Sequence, residues 1–399
     1  MAVTRPDRLR IVVLGYIVRG PVGGMAWCDL HYLIGLRDLG HDVYYAEDSG
    51  DSVWCCYDPS RGATDADPIY GLAFAARELG RIGFGDRWAY YDAHTECWRG
   101  PCAGTILDVC ATADLVLNPG GVNLLRSWFM QIPSRVLIDK DPAFTQVRHI
   151  NDPTAKALAL RHTAFFTLGE NVGQDQCLVP DDGLPWQPTR HPIAVDAWPA
   201  TPGDPGGAFT TVMLWDSYRA GEHRGVRYGL KSDSFGPFLD LPNRVSAALE
   251  LVAGGASAPR TLLADHGWKV TRPEAAADPP AYQRYIQRSK AEFTVAKHGY
   301  VVSASGWFSE RSASYLASGR PVVTQDTGFP RWLNADAGVV PFRSPDEAVE
   351  AIADVTARYE HHCRSAREIG VEYFDARKVL RDLIDRAQRS ASPLGGPDG

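Results

Sequence analysis

The sequence lacks the features that mark membrane-spanning, disulfide-rich and nucleic-acid-binding proteins. No apolar run approaches the roughly 20 residues that cross a bilayer, so no membrane span is expected. Eight cysteines in 399 residues are too dilute for a disulfide scaffold, which favours a cytoplasmic protein. The formal net charge of −7 gives the chain no general attraction for a phosphate polymer, so no nucleic-acid partner is expected.

Several short motifs of catalysis and metal binding are also missing. Cys97 and Cys102 have no second cysteine pair of suitable spacing, and no carboxylate triplet or histidine pair with an acidic partner defines a metal site. The sequence contains no Gly-x-x-x-x-Gly-Lys-Ser/Thr for ATP phosphates and no Gly-x-Ser-x-Gly elbow. We therefore expect neither a bound metal nor a resident cofactor.

What is present is an alternation of strand and helix patterns. Hydrophobic residues make up 45% and charged residues 22% of the chain, which is typical of globular proteins, and the length predicts two or three domains. Apolar runs followed by amphipathic stretches predict a parallel sheet covered on both faces. In the first half the predicted strands are 10–16, 41–47, 114–118, 135–139 and 164–168, with a helix at 25–39.

A Pro/Gly-rich stretch at 199–208 is the clearest linker signal, and the rhythm restarts after it. The predicted later strands are 209–215, 260–264, 300–303 and 321–324, and the predicted helices are 242–253, 280–291, 309–318 and 345–359, with more helix to about 390. This predicts a domain at 1–198, the linker, a second domain at 209–374, a final helix at 375–390 and a tail at 391–399.

The helix predicted to begin at Ser309 is the first candidate site. A helix that begins just past a strand's carboxyl end directs free N–H groups and a partial positive charge outward. The hydroxyls of Ser309 and Ser312, with Arg311, would make that end a diphosphate cradle. The alternative is a capped structural helix whose charged residues face water.

A basic segment follows the strand predicted at 209–215. Its basic residues outnumber its single glutamate, Glu222. They are Arg219, His223, Arg224, Arg227 and Lys231. It follows a strand's carboxyl end, where ligands bind in α/β proteins. The alternative is a solvated basic loop.

Two further residues are candidates for a general base. Asp141 follows the strand predicted at 135–139, and His31 lies inside the first predicted helix. Either could remove a proton from a hydroxyl group. The alternatives are a turn at Asp141-Pro142 and a structural role for His31.

Two segments resemble a known enzyme group. Residues 315–323, Tyr-Leu-Ala-Ser-Gly-Arg-Pro-Val-Val, followed by Gln325-Asp-Thr-Gly, are similar to the nucleotide-sugar-binding segment of GT-B-fold glycosyltransferases, especially the retaining glycosyltransferase family 4 group. The Gly23-Gly24 loop and residues 39–43 resemble the opening of the same enzymes' first domain. The resemblance implies two Rossmann-like doubly wound domains facing across a cleft, the first binding mainly the acceptor and the second mainly the donor.

The resemblance also implies roles for individual residues. Arg219 and Lys231 would neutralise the leaving diphosphate, with Asp141 or His31 available as a base if the reaction inverts. The residues implied to contact the nucleotide-sugar are Gly23, Gly24, Arg227, Ser309, Glu310, Arg311, Ser312, Gln325 and Asp326.

One departure separates this chain from the group's usual pattern. The two glutamates found eight positions apart in that group correspond here to Gly306 and Ser314, and Glu310 lies between them. This suggests a divergent branch, such as those of actinobacterial natural-product pathways. The expected activity is a metal-independent hexosyltransfer from a nucleoside diphosphate-sugar to a small-molecule acceptor, natural-product or nucleoside-like. The alternatives are a nucleotide-sugar epimerase on the same fold and a noncatalytic nucleotide-sugar-binding protein.

Overall fold

The computed structural model describes residues 8–391, which form eighteen strands, fourteen α-helices and four short 3-10 helices. The strands are β1 Arg10–Leu14, β2 Asp42–Asp48, β3 Cys56–Asp58, β4 Ala63–Asp65, β5 Trp88–Asp92, β6 Cys97–Arg99, β7 Leu115–Pro119, β8 Ser134–Asp139, β9 Ala164–Thr167, β10 Gln187–Pro188, β11 Phe209–Leu214, β12 Gly221–His223, β13 Val226–Tyr228, β14 Leu249–Gly254, β15 Lys269–Thr271, β16 Ala291–Thr294, β17 Val322–Gln325 and β18 Val339–Phe342. The helices are α1 Gly23–Asp38, α2 Ile69–Arg81, α3 Ile106–Thr112, α4 Ser127–Met130, α5 Phe144–Asn151, α6 Pro153–Ala159, α7 Lys231–Ser234, α8 Arg260–Asp265, α9 Pro279–Arg288, α10 His298–Ser303, α11 Glu310–Ala317, α12 Pro345–Ala357, α13 Tyr359–Phe374 and α14 Ala376–Ala391. Across this described range, no helix has the length and apolar character that spanning a bilayer requires.

The chain packs as two compact units. Within the described residues the first unit comprises 8–140, 152–166 and 376–391, and the second comprises 141–151 and 167–375. Packing thus groups 141–151 and 167–198 with the second unit, whereas the predicted first domain extends to 198. The predicted assignment of acceptor and donor to separate domains remains a prediction, and most of the predicted tail at 391–399 lies outside the described residues.

The first unit is built on a sheet that includes the strands β9-β8-β7-β1-β2-β5-β6 in this order. β1 pairs in parallel with both β2 and β7, and its residues Ile11–Leu14 are completely buried, as expected for a strand covered on both faces. The chain extends from β1 toward β2 and β5 and then returns to β7 on the other side. This reversal makes a topological switch point between β1 and β7, where α/β folds place ligands.

The carboxyl-terminal helix belongs to this first unit. α14 packs against α1 at Gly35, where a Cβ atom would lie 2.6 Å from the Cβ of Ala376. Only a glycine permits so close an approach of the two helices.

The second unit contains a parallel sheet in the order β15-β14-β11-β16-β17-β18. The chain extends from β11 to β14 and β15, then returns to β16, β17 and β18 on the other side. The carboxyl ends of β11 and β16 therefore lie side by side at the switch point of this sheet.

Three predicted elements of the second unit are wrong. The carboxyl-terminal part of the helix predicted at 242–253 is β14, the strand predicted at 260–264 is α8, and the strand predicted at 300–303 is part of α10. Short apolar runs do not distinguish a buried strand from a helix by periodicity, so tertiary packing decides between them. In α10, for example, Gly299 lets the helix approach Phe144, whose Cζ would lie 2.5 Å from an added Cβ.

Candidate functional site

A cluster of Asp141, Tyr218, Lys297 and Tyr300, the Asp141 cluster below, lies at the switch point of the second sheet. Tyr218 follows β11 and Lys297 follows β16, so adjacent strand ends deliver both side chains. The Asp141 carboxylate accepts hydrogen bonds from the Tyr218 hydroxyl at 2.8 Å, from Lys297 Nζ at 2.9 Å and from the Tyr300 hydroxyl. Lys297 Nζ also lies 4.2 Å from the centroid of the Tyr218 ring. The ammonium group is therefore fixed by a carboxylate and an aromatic face.

This environment keeps Asp141 ionised. Burial raises its pKa, but the Lys297 ammonium and the hydrogen bonds from Tyr300, Lys297 and Tyr218 outweigh that effect and lower it to about 2. A carboxylate with so low a pKa is a weak proton acceptor at neutral pH. The role of Asp141 as a base stays a prediction; its observed contacts hold Lys297.

We expect Asp141→Asn to destabilise the protein at neutral pH and less so in acid. The lowered pKa contributes stability above about pH 4 that is lost as the pH falls toward 2. Because the Asp141 side chain is 39% exposed, screening limits the cost to about 1 kcal/mol at pH 6. Urea unfolding of both proteins at pH 6 and pH 3 measures it, and about half of the difference should disappear at pH 3. An equal difference at both pH values would contradict the assignment.

Lys231 lies beside the Asp141 cluster and is buried. Its Nζ donates to the carbonyl oxygen of Val295 at 2.8 Å, immediately after β16. Burial, and then the positive charges of Arg311 and Lys297, lower the pKa of Lys231 well below its usual value, although Glu292 opposes the shift. Three cations therefore share this strand edge with the carboxylates of Asp141 and Glu292. An anionic ligand placed here would stabilise the charged form of Lys231, because a nearby negative charge raises the pKa of an amine.

Arg311, predicted to contact a diphosphate, is bound by the sheet instead. Its Nε donates to Glu292 at 2.5 Å, and its terminal nitrogens donate to the carbonyl oxygen of Val212 and the hydroxyl of Thr294, each at 2.8 Å. Each of its guanidinium nitrogens thus has an acceptor on β11 or β16. The predicted contact with phosphate remains a prediction, but the geometry assigns Arg311 to the pairing of a buried carboxylate.

The amino end of α11 is less open than a diphosphate cradle would be. Ser309 occupies the N-cap position without a capping hydrogen bond from its side chain, and Ser309, Glu310 and Ser312 are all buried. Glu310 accepts a hydrogen bond from Ser314 at 3.0 Å, and the buried Ser312 hydroxyl has no partner among the described residues. A diphosphate could therefore contact only the small part of this helical turn that is exposed.

The segment before α11 is held on one side by Asn171. The backbone N–H of Asn171 donates to the carbonyl oxygen of Ser305 at 3.0 Å, and a Cβ at Gly306, whose φ is +76°, would lie 2.7 Å from the Asn171 side chain. This places the half-buried Trp307 ring against Tyr300, with 4.2 Å between the ring centroids. Trp307 therefore provides a fixed aromatic wall beside the Asp141 cluster.

Gln325 and Asp326 end the next strand of the sheet. Gln325 Oε1 accepts a hydrogen bond from the backbone of Ala296 at 3.1 Å, which ties the end of β17 to the end of β16. Asp326 pairs with Arg343 at 2.7 Å and lines a cleft of about 470 Å³ together with Val301 and Arg331. That volume is within the range of small-molecule sites.

The remaining predicted residues have contrasting surroundings. Arg219 is exposed and has no partner among residues 8–391, whereas Arg227, on the β12–β13 hairpin, pairs with Asp233 at 3.0 Å.

Gly23 and Gly24 begin α1 in the first unit, and His31 is completely buried there, with its ring 5.0 Å from that of Trp27. Complete burial favours the structural alternative for His31.

Sequence reasoning missed Tyr218, Lys297 and Tyr300. The available signal was the run Ala-Glu-Phe-Thr-Val-Ala at 291–296, whose recognition as a strand would have placed Lys297 at a carboxyl end.

Comparisons with known proteins agree with this architecture. Residues 244–385 match a family model described as glycosyl transferase-like. Similar solved structures include an alpha-glucosyltransferase in complex with UDP and a 13-mer DNA containing a HMU base, at TM-score 0.62 and 9% identity over 96% of this chain and 100% of that one. Another is Anabaena HepE in complex with UDP and glucose, at TM-score 0.59 and 12% identity over 96% and 100% of the two chains. AviGT4, a glycosyltransferase involved in avilamycin A biosynthesis, has TM-score 0.51 and 12% identity over 97% and 99%. The comparison with curated proteins finds no match.

The fold is GT-B. The predicted fold class is thereby confirmed, and the family model that matches residues 244–385 is a glycosyl transferase-like one. The likeness to solved structures, at 9–12% identity, concerns architecture and not substrate.

The expectation of no nucleic-acid partner is wrong as an exclusion. Structures of the same fold include alpha-glucosyltransferases bound to DNA containing an abasic site, an A:G mismatch or a HMU base. The error came from using the net charge of the whole chain, because phosphate contacts depend on the local distribution of charge.

Proposed function

We propose that the protein is a GT-B glycosyltransferase that transfers a hexose from a nucleoside diphosphate-sugar to a small-molecule acceptor. The observation that carries the proposal is the convergence of Lys231, Lys297 and the neighbouring Arg219 segment on the switch point of the second sheet. The fold and the glycosyl transferase-like segment at 244–385 support it. The proposal includes a relation to the retaining family 4 group and the use of protein cations, in place of a metal, to balance the diphosphate.

The proposed reaction breaks the bond between the anomeric carbon and the diphosphate oxygen and forms one to an acceptor hydroxyl. Negative charge grows on the leaving diphosphate as the bond breaks, and pre-positioned cations stabilise that charge. The acceptor hydroxyl must also lose its proton. Because the pKa of Asp141 is about 2, the leaving phosphate is the better proton acceptor. This favours retention of the anomeric configuration.

Two other functions fit the same fold and are separable by experiment. A nucleotide-sugar epimerase would convert the donor with no acceptor present, and a binding protein would retain the donor without turnover. Incubation of the protein with UDP-glucose alone and with acceptors, followed by analysis of the sugar and of released UDP, distinguishes all three. Release of UDP that depends on an acceptor supports the transferase.

We expect UDP to bind with uptake of protons at alkaline pH. Burial and neighbouring cations lower the pKa of Lys231 in the free protein, and a bound diphosphate reverses much of that shift because it supplies negative charge. Calorimetric titration at pH 7 and pH 9, in buffers of different ionisation enthalpy, measures the protons taken up. Net proton uptake at one or both pH values is the expected result.

Uridine and Lys231→Met are the controls for this titration. Uridine lacks the diphosphate, so its binding to the parent protein should take up no protons. The methionine side chain is similar in length to lysine and carries no charge, so UDP binding to Lys231→Met should take up none either. UDP binding with equal heats in all buffers would contradict the placement of the diphosphate beside Lys231. No binding of UDP, GDP, ADP, CDP or dTDP would contradict the proposed donor class.

A further inference from the structure

An apolar surface in the first unit is not explained by the donor chemistry. Five large hydrophobic side chains within an 18-residue span are exposed, and two of them, Trp54 at 72% and Ile69 at 71%, are almost fully so. The set, called the aromatic rim below, is Val53, Trp54, Tyr57, Ile69 and Tyr70. The elements that carry Tyr57 and Ile69, β3 and α2, contact each other, and exposed apolar side chains on adjoining elements mark a binding surface more often than scattered single residues do.

Backbone contacts fix the aromatic rim next to the loop that follows β1. The backbone N–H of Tyr57 donates to the carbonyl oxygen of Arg19 at 2.9 Å. The first turn of α2 also abuts this loop, since a Cβ at Gly71 would lie 1.9 Å from the carbonyl oxygen of Val18. Tyr57 and the Ile69-Tyr70 pair thus flank the same stretch of loop. That loop leaves the sheet at the switch point between β1 and β7, where a ligand crevice is expected.

The loop itself is rigidly supported. The buried carboxylate of Glu47 accepts hydrogen bonds from the backbone N–H groups of Val18 and Arg19, at 2.8 and 2.7 Å. Asn123, after β7, donates to the carbonyl oxygen of Gly15 at 2.9 Å and accepts from the backbone of Asp48 at 2.9 Å. The loops that follow β1, β2 and β7 are therefore joined, as a preformed ligand site requires.

The charge around the aromatic rim is negative. Residues 48–67 contain Arg61 and five aspartates, which are Asp48, Asp51, Asp58, Asp65 and Asp67. Arg61 pairs with Asp58 and Asp65, and Arg126 pairs with Asp48 and Asp51, so two arginines face five carboxylates. Such a rim repels phosphate groups and accepts neutral or cationic ones.

We infer that the aromatic rim binds the acceptor, and that the acceptor is an uncharged or cationic hydroxyl compound with an aromatic or apolar body. Exposed tryptophan, tyrosine and isoleucine side chains supply contact area for such a body. The negative charge disfavours a phosphorylated small-molecule acceptor. This inference rests on the proposed glycosyltransferase function, because it names the acceptor class of that reaction.

Three phenols of similar size but different charge test the inference directly. Tyramine is cationic, tyrosol is neutral and 4-hydroxyphenylacetate is anionic at pH 7. Their affinities for the full chain are measured by ligand-observed NMR, which needs no donor. We expect tyramine and tyrosol to bind at least about tenfold more tightly than 4-hydroxyphenylacetate. Equal affinities, or a preference for the anion, would overturn the inference.

A double variant and a matched control identify the surface. Trp54→Ser combined with Ile69→Ser should weaken tyramine binding at least about fivefold, and both positions are exposed, so the fold should be unaffected. Leu160→Ser is the control, because Leu160 is 57% exposed in the same unit but precedes β9, which lies on the other side of β1 from β2 and β5. Unchanged binding in the double variant would contradict the assignment to the aromatic rim.

A DNA duplex containing 5-hydroxymethyluracil and vesicles of phosphatidylcholine with phosphatidylglycerol complete the test. Binding of either one to the aromatic rim, lost in the double variant while the phenols do not bind, would replace the small-molecule acceptor with that partner. UDP binding is measured in parallel. UDP binding without phenol binding refutes only the acceptor inference. Phenol binding without binding of UDP, GDP, ADP, CDP or dTDP refutes the proposed donor chemistry.

Discussion

Lys231→Ala is expected to lower turnover by about two orders of magnitude or more, the usual effect of removing a group that stabilises charge in the transition state. Lys231 is held at the end of β16 by its hydrogen bond to the carbonyl oxygen of Val295 and lies near Arg311 and Lys297.

Arg219→Ala should have a comparable effect for a different reason. Arg219 is exposed and unpaired among the described residues, so its full charge is available to a ligand. Turnover of a saturating donor with a competent acceptor, together with UDP affinity, measures both effects.

Arg358→Ala is the matched control for these two variants. Arg358 is a surface arginine of the same unit and is paired with Asp354 at the end of α12. Its loss should change turnover by less than about twofold, because an exposed ion pair contributes little. If both Lys231→Ala and Arg219→Ala also remained within twofold of the parent, neither residue would contact the leaving diphosphate.

Arg311→Met is expected to destabilise the second unit by about 3–5 kcal/mol, the cost of leaving a buried charge without its partner. The affected carboxylate is Glu292, which is completely buried in β16. The guanidinium of Arg311 also satisfies Val212 and Thr294, so its removal leaves those acceptors unpaired as well. Equilibrium unfolding in urea measures the change in free energy.

A double variant distinguishes this structural role from a role in donor binding. Glu292→Gln combined with Arg311→Met removes both charges, and it should recover a large part of the stability lost in Arg311→Met alone. If Arg311→Met instead cost less than about 1 kcal/mol and abolished UDP binding, the contact predicted from sequence would be correct. The buried ion pair between Arg311 and Glu292 would then contribute little to the free energy of unfolding.

Much of the fold follows from local patterns in the sequence. The strand predicted at 209–215 is β11, the helix predicted at 309–318 contains α11, and the strand predicted at 321–324 is β17 within a residue. Ser309 before this helix and Gly319 after it mark its ends through their backbone preferences. The errors fall on short apolar runs without such markers, of which 249–254 is the clearest example.

The site was predictable where a residue follows a recognisable strand. Lys231 and Asp141 were identified in that way, although Asp141 was assigned to an acceptor-binding first domain and packs in the second unit against Lys297. Lys297 was missed because β16 was missed, and Tyr218 and Tyr300 carry no charge pattern that would single them out. Pairings between distant segments, such as Asp141 with Lys297, depend on chain crossovers that periodicity does not encode.

The sequence by itself determined the alternation of strands and helices, the place of the glycosyl transferase-like segment and the supply of cations near it. Only the tertiary structure decided which of those cations serve the fold and which remain available to a ligand. Arg311 and Arg219 are chemically identical, yet one is enclosed by Glu292 and two strand oxygens and the other is exposed. The physical reason is that the free energy of a charge depends on its burial and its partners, and both are set by residues distant in sequence.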